Sequence, residues 1–226
     1  LCSGHSASGV FVDEFARTTV TGLYAAGDMA SVPHNYMLGA FTNGAVAGEH
    51  AIDFATDVDL PEYDRSEVAR EQERVLAPTR RDDGIPPNQL EYKARRLVND
   101  YLQPPKVTAK MQIGQTRLAE VRDDLENTMV ARDSHELMRA LEVSSILDCA
   151  DMAAFASLFR TESRWGLYHQ RVDYPDKNDD EWFCHSILRK QNERMTAEKR
   201  AVAQYIVPIA ETERSAYSRQ RIRQHA

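Results

Sequence analysis

Glycine is distributed unevenly along this chain, and the imbalance constrains the fold more than any other feature of the sequence. Seven of the ten glycines lie in the first 48 of 226 residues, whereas eight of the nine prolines lie from Pro61 onward. Residues 1–60 carry one basic and seven acidic side chains, while the remainder is nearly balanced in charge. We therefore predict a domain boundary near residues 58–62, between a glycine-rich segment that contains strands and a helical remainder.

The glycine-rich segment has the pattern of strands followed by a ligand-binding loop and a helix. Residues 9–13 and 22–28 are short runs rich in β-branched, aromatic or small apolar residues, which is typical of strands. A loop over 29–40 should lead into a helix that begins near residues 38–42, with Thr42 as its N-cap. Ligands of α/β folds bind beyond the carboxyl ends of strands, and a helix N-terminus stabilises negative charge. The pattern predicts a cofactor site here; an ordinary strand–loop–helix connection is the alternative.

The remainder has the apolar spacing of helices that pack as a small bundle. The predicted helices cover about 63–76, about 89–102, a run through Leu118 to Met129, a helix opening at Asp133, and about 197–207. The fold class we predict is an α+β fragment. It consists of the end of an α/β, Rossmann-like cofactor-binding domain (residues 1–60) followed by a C-terminal helical bundle (residues 61–226).

Composition argues against several classes of protein. A net charge of −7 and a pI near 5.5 make nucleic acid an unsuitable main partner, and no apolar run predicts a transmembrane segment. The three cysteines are far apart and include no CxxC pair, so we predict no metal site and no iron–sulfur ligands in this chain. Because the chain begins with Leu1 rather than Met, we expect it to be part of a longer protein.

Two groups of motifs resemble one known family. The first comprises the run from His5 to Asp13, the run from Thr19 to Asp28 and the stretch from Gly39 to Gly48. Together they resemble the second FAD-binding segment of the fumarate reductase/succinate dehydrogenase flavoprotein family. The second group, Thr161–Asp173 followed by Asp179-Asp180, resembles the Glu-Ser-Arg, Arg-x-Asp and Asp-Asp pattern of that family's C-terminal helical domain. The two groups occur in the family's order and bracket most of the chain.

The resemblance implies an FAD-dependent oxidoreductase that exchanges electrons with an iron–sulfur partner subunit. Asp28 would bind hydroxyl groups of FAD, and His5 matches the histidine that holds a substrate carboxylate beside the flavin. The implied cofactor-binding residues are Gly27, Asp28, Gly39, Ala40, Phe41, Thr42 and Asn43, and the candidate catalytic residues are His5, His34 and Arg164. We expect a small-molecule substrate, and a cytoplasmic protein or one held at the inner membrane through a partner.

One position departs from the family pattern and bears on the substrate. Dicarboxylate-converting members have His-Gly-Ala-Asn-Arg-Leu-Gly where this chain has residues 33–39, so Met37 occupies the arginine position. A thioether cannot make a bidentate contact with a carboxylate. The Pro33-His34 step, the run from Gly39 to Thr42 and Trp165 are more similar to the α subunit of adenylylsulfate reductase. We therefore expect a substrate other than a simple dicarboxylate.

Alternatives remain open from the sequence alone. No G-x-G-x-x-G fingerprint occurs in these residues, so the chain could instead be a non-catalytic helical interaction module with a remnant cofactor segment. Arg164, His169 and Arg171 could equally be structural, pairing with Asp173, Asp179 or Asp180. His50 lies on an apolar helix face and is predicted to be a core residue, as is Trp182.

Overall fold

A computed structural model describes residues 8–32, 36–59, 62–164, 166–192 and 194–202. The predicted site residues His5 and His34, and Trp165, lie outside these ranges, as do residues 203–226. The chain divides into two compact units, Leu1–Glu71 and Gln72–Ala226. Each is described by itself below, and the assignment of domains to residues 1–60 and 61–226 stays a prediction.

The first unit carries isolated β-bridges where the sequence predicts two regular strands. Val10 forms a parallel bridge with Ala30, and Arg17 forms an antiparallel bridge with Tyr24. A 3₁₀ turn, Gly27–Met29, occupies the end of the second predicted strand. The prediction of regular strands over 9–13 and 22–28 is therefore wrong for the described residues. A strand needs a ladder of hydrogen bonds to a neighbour, and each of these segments has single bridges only.

Helix α1 spans Met37–Asp57 and begins earlier than predicted. Thr42 lies inside the helix, where its hydroxyl donates to the Leu38 carbonyl at 2.9 Å, so its assignment as the N-cap is wrong. Met37, Leu38 and Ala40 are good helix formers, which lets the helix extend through Gly39 toward its N-terminus. The helix packs through His50, whose ring lies edge-on against Phe15 with centroids 4.7 Å apart.

The second unit is mostly helical, as predicted. Its regular elements, with α2 at the division between the units, are α2 (Arg65–Leu76), α3 (Pro87–Leu97), α4 (Thr108–Asn127), α5 (Ser134–Phe159), α6 (Asp179–Trp182), β1 (Cys184–Gln191) and β2 (Arg194–Ala201). Asp133 caps α5 by accepting from the Glu136 backbone N–H at 2.8 Å, and the Glu136 carboxylate accepts from the Arg132 N–H at 2.8 Å.

The core of the second unit lies between α3, α4 and α5. Its most deeply buried members are Leu90, Ala94, Met111, Leu118, Val121, Val143, Leu147 and Ala154. Gly114 allows a close approach here, because a Cβ atom at that position would lie 2.8 Å from the Cβ of Tyr101. The helical spacing in the sequence therefore identified the apolar faces that pack together.

A two-stranded antiparallel sheet closes the described part of the unit. Strands β1 and β2 pair from Cys184 opposite Ala201 to Gln191 opposite Arg194. The helix predicted over 197–207 is therefore wrong for residues 197–201. Side chains in β2 alternate, with Met195 and Ala197 on one face and Thr196 and Glu198 on the other, which suits a strand paired with β1. None of the described helices is both long and apolar enough to cross a membrane.

Candidate functional site

A tight glycine turn places a carboxylate beside the N-terminal region of α1 in the first unit. Gly27 is buried and has a φ of +71°, in the left-handed region that favours glycine. The Gly27 carbonyl closes the turn by accepting from the Ala30 N–H at 3.0 Å. The next residue, Asp28, is exposed, so its carboxylate is available to accept hydrogen bonds from a ligand. A Cβ atom built at Gly27 would lie 3.6 Å from the Cβ of Ala40, which brings the turn against α1.

The N-terminus of α1 is suited to a negatively charged group. Its N-cap residue, Tyr36, makes no side-chain hydrogen bond to the helix, and the first turn contains no acidic residue. The first intrahelical hydrogen bond runs from the Ala40 N–H to the Tyr36 carbonyl at 2.8 Å. The amides of residues 37–39 therefore have no partner within the helix, and they carry the positive end of the helix dipole.

Large apolar side chains are exposed around this N-terminus. Met37, Leu38 and Phe41 are 75%, 80% and 71% exposed, and Met29 in the glycine turn is 69% exposed. Apolar residues exposed as a group, unlike single ones, mark surfaces that bind a ligand or another part of a protein. The turn and the first turns of α1 thus combine an acceptor, backbone donors that the helix itself leaves unpaired, and apolar side chains.

The predicted site residues fall into two sets. Gly27 and Asp28 lie in the turn, and Gly39 to Asn43 lie in the first two turns of α1, so the structure brings these seven residues together. The first intrahelical hydrogen bond begins at the Ala40 N–H. Of the five helical residues, therefore, only Gly39 has a backbone N–H that no carbonyl of the helix accepts. Arg164 lies in the second unit, in the cluster described next, and the functional roles of all these residues stay predictions.

A fully buried carboxylate organises a charged cluster in the second unit. Glu162 is 0% exposed and binds the Arg164 guanidinium through two contacts of 2.6 and 2.9 Å. It also pairs with Arg160 and accepts from the Asn178 N–H at 2.9 Å. Burial alone would raise the pKa of this carboxyl, but the hydrogen bonds from Arg164, Asn178 and Arg160 outweigh it and hold the pKa of Glu162 below its ordinary value. Arg164 reaches Asp179 as well, at 2.7 Å.

The buried guanidinium of Arg171 joins three segments of the same unit. Arg171 is 1% exposed and binds Asp173 through two contacts of 2.8 Å. It also donates to the Ser157 carbonyl at 2.6 Å and to the Thr108 hydroxyl at 2.7 Å. The structural alternative predicted for Arg164 and Arg171, pairing with Asp179 and Asp173, is confirmed. The hydrogen bonds from Arg171 and Thr108 hold the pKa of Asp173 far below its ordinary value, despite partial burial.

Lys106 and His169 complete this cluster, and Lys106 was not among the predicted site residues. The Lys106 ammonium is 9% exposed and donates to the Ser157 hydroxyl at 2.8 Å. A His169 ring nitrogen lies 3.2 Å from the Arg160 carbonyl. Burial, helped by the nearby Lys106 charge, lowers the pKa of His169 to about 4, so the ring is neutral at pH 7. Lys106 is distant in sequence from the motif, so only its pairing in the fold could reveal it.

The neutral state of His169 makes the stability of this unit sensitive to acid. Below the ordinary pKa of histidine the unfolded chain binds a proton at this residue, whereas the folded chain does so only near pH 4. The contribution of neutral His169 to the stability of the unit is therefore complete above about pH 6.5 and is lost as the pH falls toward 4. We expect the folding equilibrium constant to fall on the order of tenfold more between pH 7 and pH 5 in the wild type than in His169→Gln. Urea unfolding of both proteins at pH 7 and pH 5 measures these equilibrium constants. An equal pH dependence in the wild type and in His169→Gln would contradict the role assigned to His169.

Comparison with known proteins identifies the family. The family described as the fumarate reductase flavoprotein C-terminal region matches residues 92–216, which include the whole charged cluster. The chain belongs to the fumarate reductase flavoprotein family. Within that family, the Glu-Ser-Arg, Arg-x-Asp and Asp-Asp segments of this member form the ion-paired cluster built on Glu162 and Arg171.

Individual relatives of this flavoprotein chain cover both units. It is 29% identical over 208 residues to a fumarate reductase flavoprotein subunit of Mycobacterium tuberculosis, which covers 82% of this chain and 35% of the relative. It is 27% identical over 184 residues to L-aspartate oxidase 1 of Ralstonia nicotianae, which covers 76% of this chain and 32% of that protein. The chain therefore spans about a third of the length of these relatives.

Solved structures of flavoprotein relatives share the fold. Adenylylsulfate reductase from Archaeoglobus fulgidus superposes with a TM-score of 0.80 at 31% identity, over 85% of this chain and 33% of that one. E. coli quinol fumarate reductase superposes with a TM-score of 0.80 at 20% identity, over 91% of this chain and 38% of that one. The second likeness supports the fold alone, because its sequence identity is low.

Proposed function

We propose that this chain is part of an FAD-dependent oxidoreductase and that Gly27, Asp28 and residues 39–43 contact its FAD. The observation that carries the proposal is the uncapped N-terminus of α1 beside the Gly27–Asp28 turn, in a chain whose family consists of flavoproteins. A flat, partly anionic ring system needs close backbone approach, apolar contact and stabilisation of negative charge. The turn and the first turns of α1 offer all three, so the residues present fit this group.

Each residue of the proposed FAD contact has a physical role. The exposed Asp28 carboxylate accepts hydrogen bonds from hydroxyl groups of the cofactor, and Gly27 allows the turn that places it there. The amide of Gly39 contributes to the positive end of α1, which favours negative charge on the ring. Ala40, Phe41, Thr42 and Asn43 supply packing surface in the first two turns of α1. FAD would supply hydride or electron-pair chemistry, which no side chain can perform alone.

The proposed substrate is a small molecule other than a simple dicarboxylate. Met37 stands where dicarboxylate-converting relatives have an arginine, and its thioether cannot clamp a carboxylate. We propose His5 and His34 as catalytic candidates. Arg164 remains a third candidate, although Glu162 and Asp179 already engage its guanidinium. Succinate oxidation by the full-length protein at rates normal for the family would contradict this substrate assignment.

The proposed electron partner is an iron–sulfur subunit. The resemblance of the motifs to the fumarate reductase/succinate dehydrogenase flavoprotein family implies such a partner. This chain contains three widely spaced cysteines, which is too few to bind a four-cysteine cluster. Electrons would pass between FAD and a separate iron–sulfur protein, as the resemblance implies. Copurification of a coloured iron–sulfur subunit with the full-length flavoprotein tests this.

Loss of flavin on substitution of Asp28 tests the FAD contact. In the full-length flavoprotein, Asp28→Ala should weaken flavin binding about 10- to 100-fold, because it removes a charged acceptor worth about 1.5–3 kcal/mol. Flavin absorbance after dialysis of the purified protein measures the loss. Asp53→Ala, an exposed aspartate on α1, is the matched control and should keep its flavin. A colourless wild-type protein would instead favour the non-catalytic helical interaction module.

A further inference from the structure

Lys106 is a buried ammonium group whose surroundings lack a matching negative charge. Lys106 is 9% exposed, and within the described residues its Nζ makes one hydrogen bond, to the Ser157 hydroxyl at 2.8 Å. In the described part of the chain no carboxylate lies within salt-bridge distance of its Nζ. A buried ammonium is normally paired with an acid, since an unpaired one costs several kcal/mol in desolvation. Lys106 departs from that rule.

The charged groups around Lys106 make its position less favourable still. The Arg171 guanidinium, on the segment that follows α5, contributes positive charge next to Lys106, and His169 is neutral. The acids that this segment brings to the cluster are already engaged: Glu162 by Arg160 and Arg164, Asp173 by Arg171 and Thr108, and Asp179 by Arg164 and Lys177. From α5 the group that faces Lys106 is the uncharged Ser157 hydroxyl. Within the described residues, Lys106 is therefore a cation of this cluster that has no acid of its own.

The backbone of Lys106 fastens two distant segments of the second unit together. Its N–H donates to the Gln170 carbonyl at 2.8 Å, and its carbonyl accepts from the Val172 N–H at 2.9 Å. These bonds form a parallel bridge between Lys106 and Arg171. The segment that leads into α4 is thereby joined to the segment that follows α5, directly beside the unbalanced charge.

We propose that Lys106 is a proton-controlled clamp, in which loss of its ammonium proton at mildly alkaline pH strengthens the junction between residues 103–107 and residues 170–173. Release of the proton removes the excess positive charge beside Arg171. The contact with Ser157 survives, because its hydroxyl can donate to the neutral amine nitrogen just as it accepts from the ammonium. The junction therefore loses a repulsion and keeps its hydrogen bonds.

The direction of the effect follows from the proton balance. Burial, with a further contribution from the Arg171 charge, lowers the pKa of Lys106 to about 8. Between about pH 8 and the ordinary pKa of lysine, the unfolded chain binds a proton at this residue and the folded chain does not. Stability therefore rises with pH in this window, and the destabilising charge is fully present below pH 8.

Urea unfolding of the full 226-residue chain at pH 7 and pH 9 tests the clamp. Both tryptophans, 165 and 182, belong to the second unit, so their fluorescence follows it. The folding equilibrium constant of the wild type should rise about tenfold between the two pH values relative to Lys106→Met. Lys110→Met, which removes an exposed lysine four residues away, should keep the wild-type pH dependence.

Parallel pH dependence of the wild type and Lys106→Met would overturn the proposal. A second measurement covers the case in which Lys106→Met fails to fold. In the wild-type chain labelled with ¹³C at lysine Cε, the assigned Lys106 resonance should titrate with a midpoint near pH 8, more than two pH units below the exposed lysines. A Lys106 midpoint that coincides with those of the exposed lysines would refute the clamp.

Discussion

Glu162→Gln is expected to destabilise the second unit by about 3–5 kcal/mol, because the amide cannot balance the two guanidinium groups that the carboxylate now binds. Glu162 is 0% exposed and is the common partner of Arg160 and Arg164. The substitution preserves shape, so the loss measures charge and hydrogen bonding rather than a cavity. Urea unfolding followed by tryptophan fluorescence at pH 7 measures the change in free energy of unfolding.

Asp180→Asn is the matched control for this substitution. It makes the same chemical change from carboxylate to amide at an exposed position of the same segment. An exposed acid contributes little to stability, so the control should change the free energy of unfolding by less than about 0.5 kcal/mol. A Glu162→Gln variant as stable as this control would show that the buried cluster tolerates an unbalanced charge.

Arg171→Met is expected to lower the free energy of unfolding of the second unit by a similar amount, about 3–5 kcal/mol. Here the substitution removes the cation of a buried pair rather than the acid. Methionine fills the apolar part of the space but leaves the Asp173 carboxylate without its bidentate partner. It also leaves the Ser157 carbonyl and the Thr108 hydroxyl without their donor. The junction between the segments before α4 and after α5 should loosen, and amide hydrogen exchange at Val172 should accelerate together with the fall in unfolding free energy.

Arg117→Met provides the comparison for Arg171. Arg117 pairs with Glu120 on the surface of α4, where its side chain is 54% exposed, and pairs of this kind contribute about 0.3–0.5 kcal/mol. A large effect at Arg171 and a small one at Arg117 would separate buried from exposed pairing. Equal effects would contradict the role assigned to Arg171.

Helical spacing in the sequence was sufficient to predict most of the second unit. The run through Leu118 marks a face that the structure buries between α3, α4 and α5, and α5 begins at the Asp133 cap, where the sequence predicts a helix to open. These features are local, because period and capping depend on neighbours three or four residues apart. Neither strand of the β1–β2 hairpin was predicted, since the pairing between the two strands decides the conformation of residues 184–191 and 194–201.

The candidate site was only partly accessible to sequence reasoning. The Gly27–Asp28 turn and the start of α1 follow from local chemistry, although the helix extends further toward Met37 than the polar Thr42 suggested. The pairing of Arg164 and Arg171 was predicted as an alternative, because acids lie nearby in the motif. Lys106 and Ser157 could not be found this way. They are 51 residues apart, and their contact depends on how the helices pack.

The charged side chains of the β1–β2 hairpin disfavour edge-to-edge pairing with another chain. A two-stranded sheet exposes two rows of backbone groups that could pair with another chain. Strand β2 carries four charged side chains in eight residues, Arg194, Glu198, Lys199 and Arg200. A second copy paired alongside would have to pack against these charged side chains, which makes the hairpin a poor template for edge-to-edge aggregation. The same charges tie the hairpin to its own unit, since Lys199 lies 3.6 Å from the centre of the Trp182 ring.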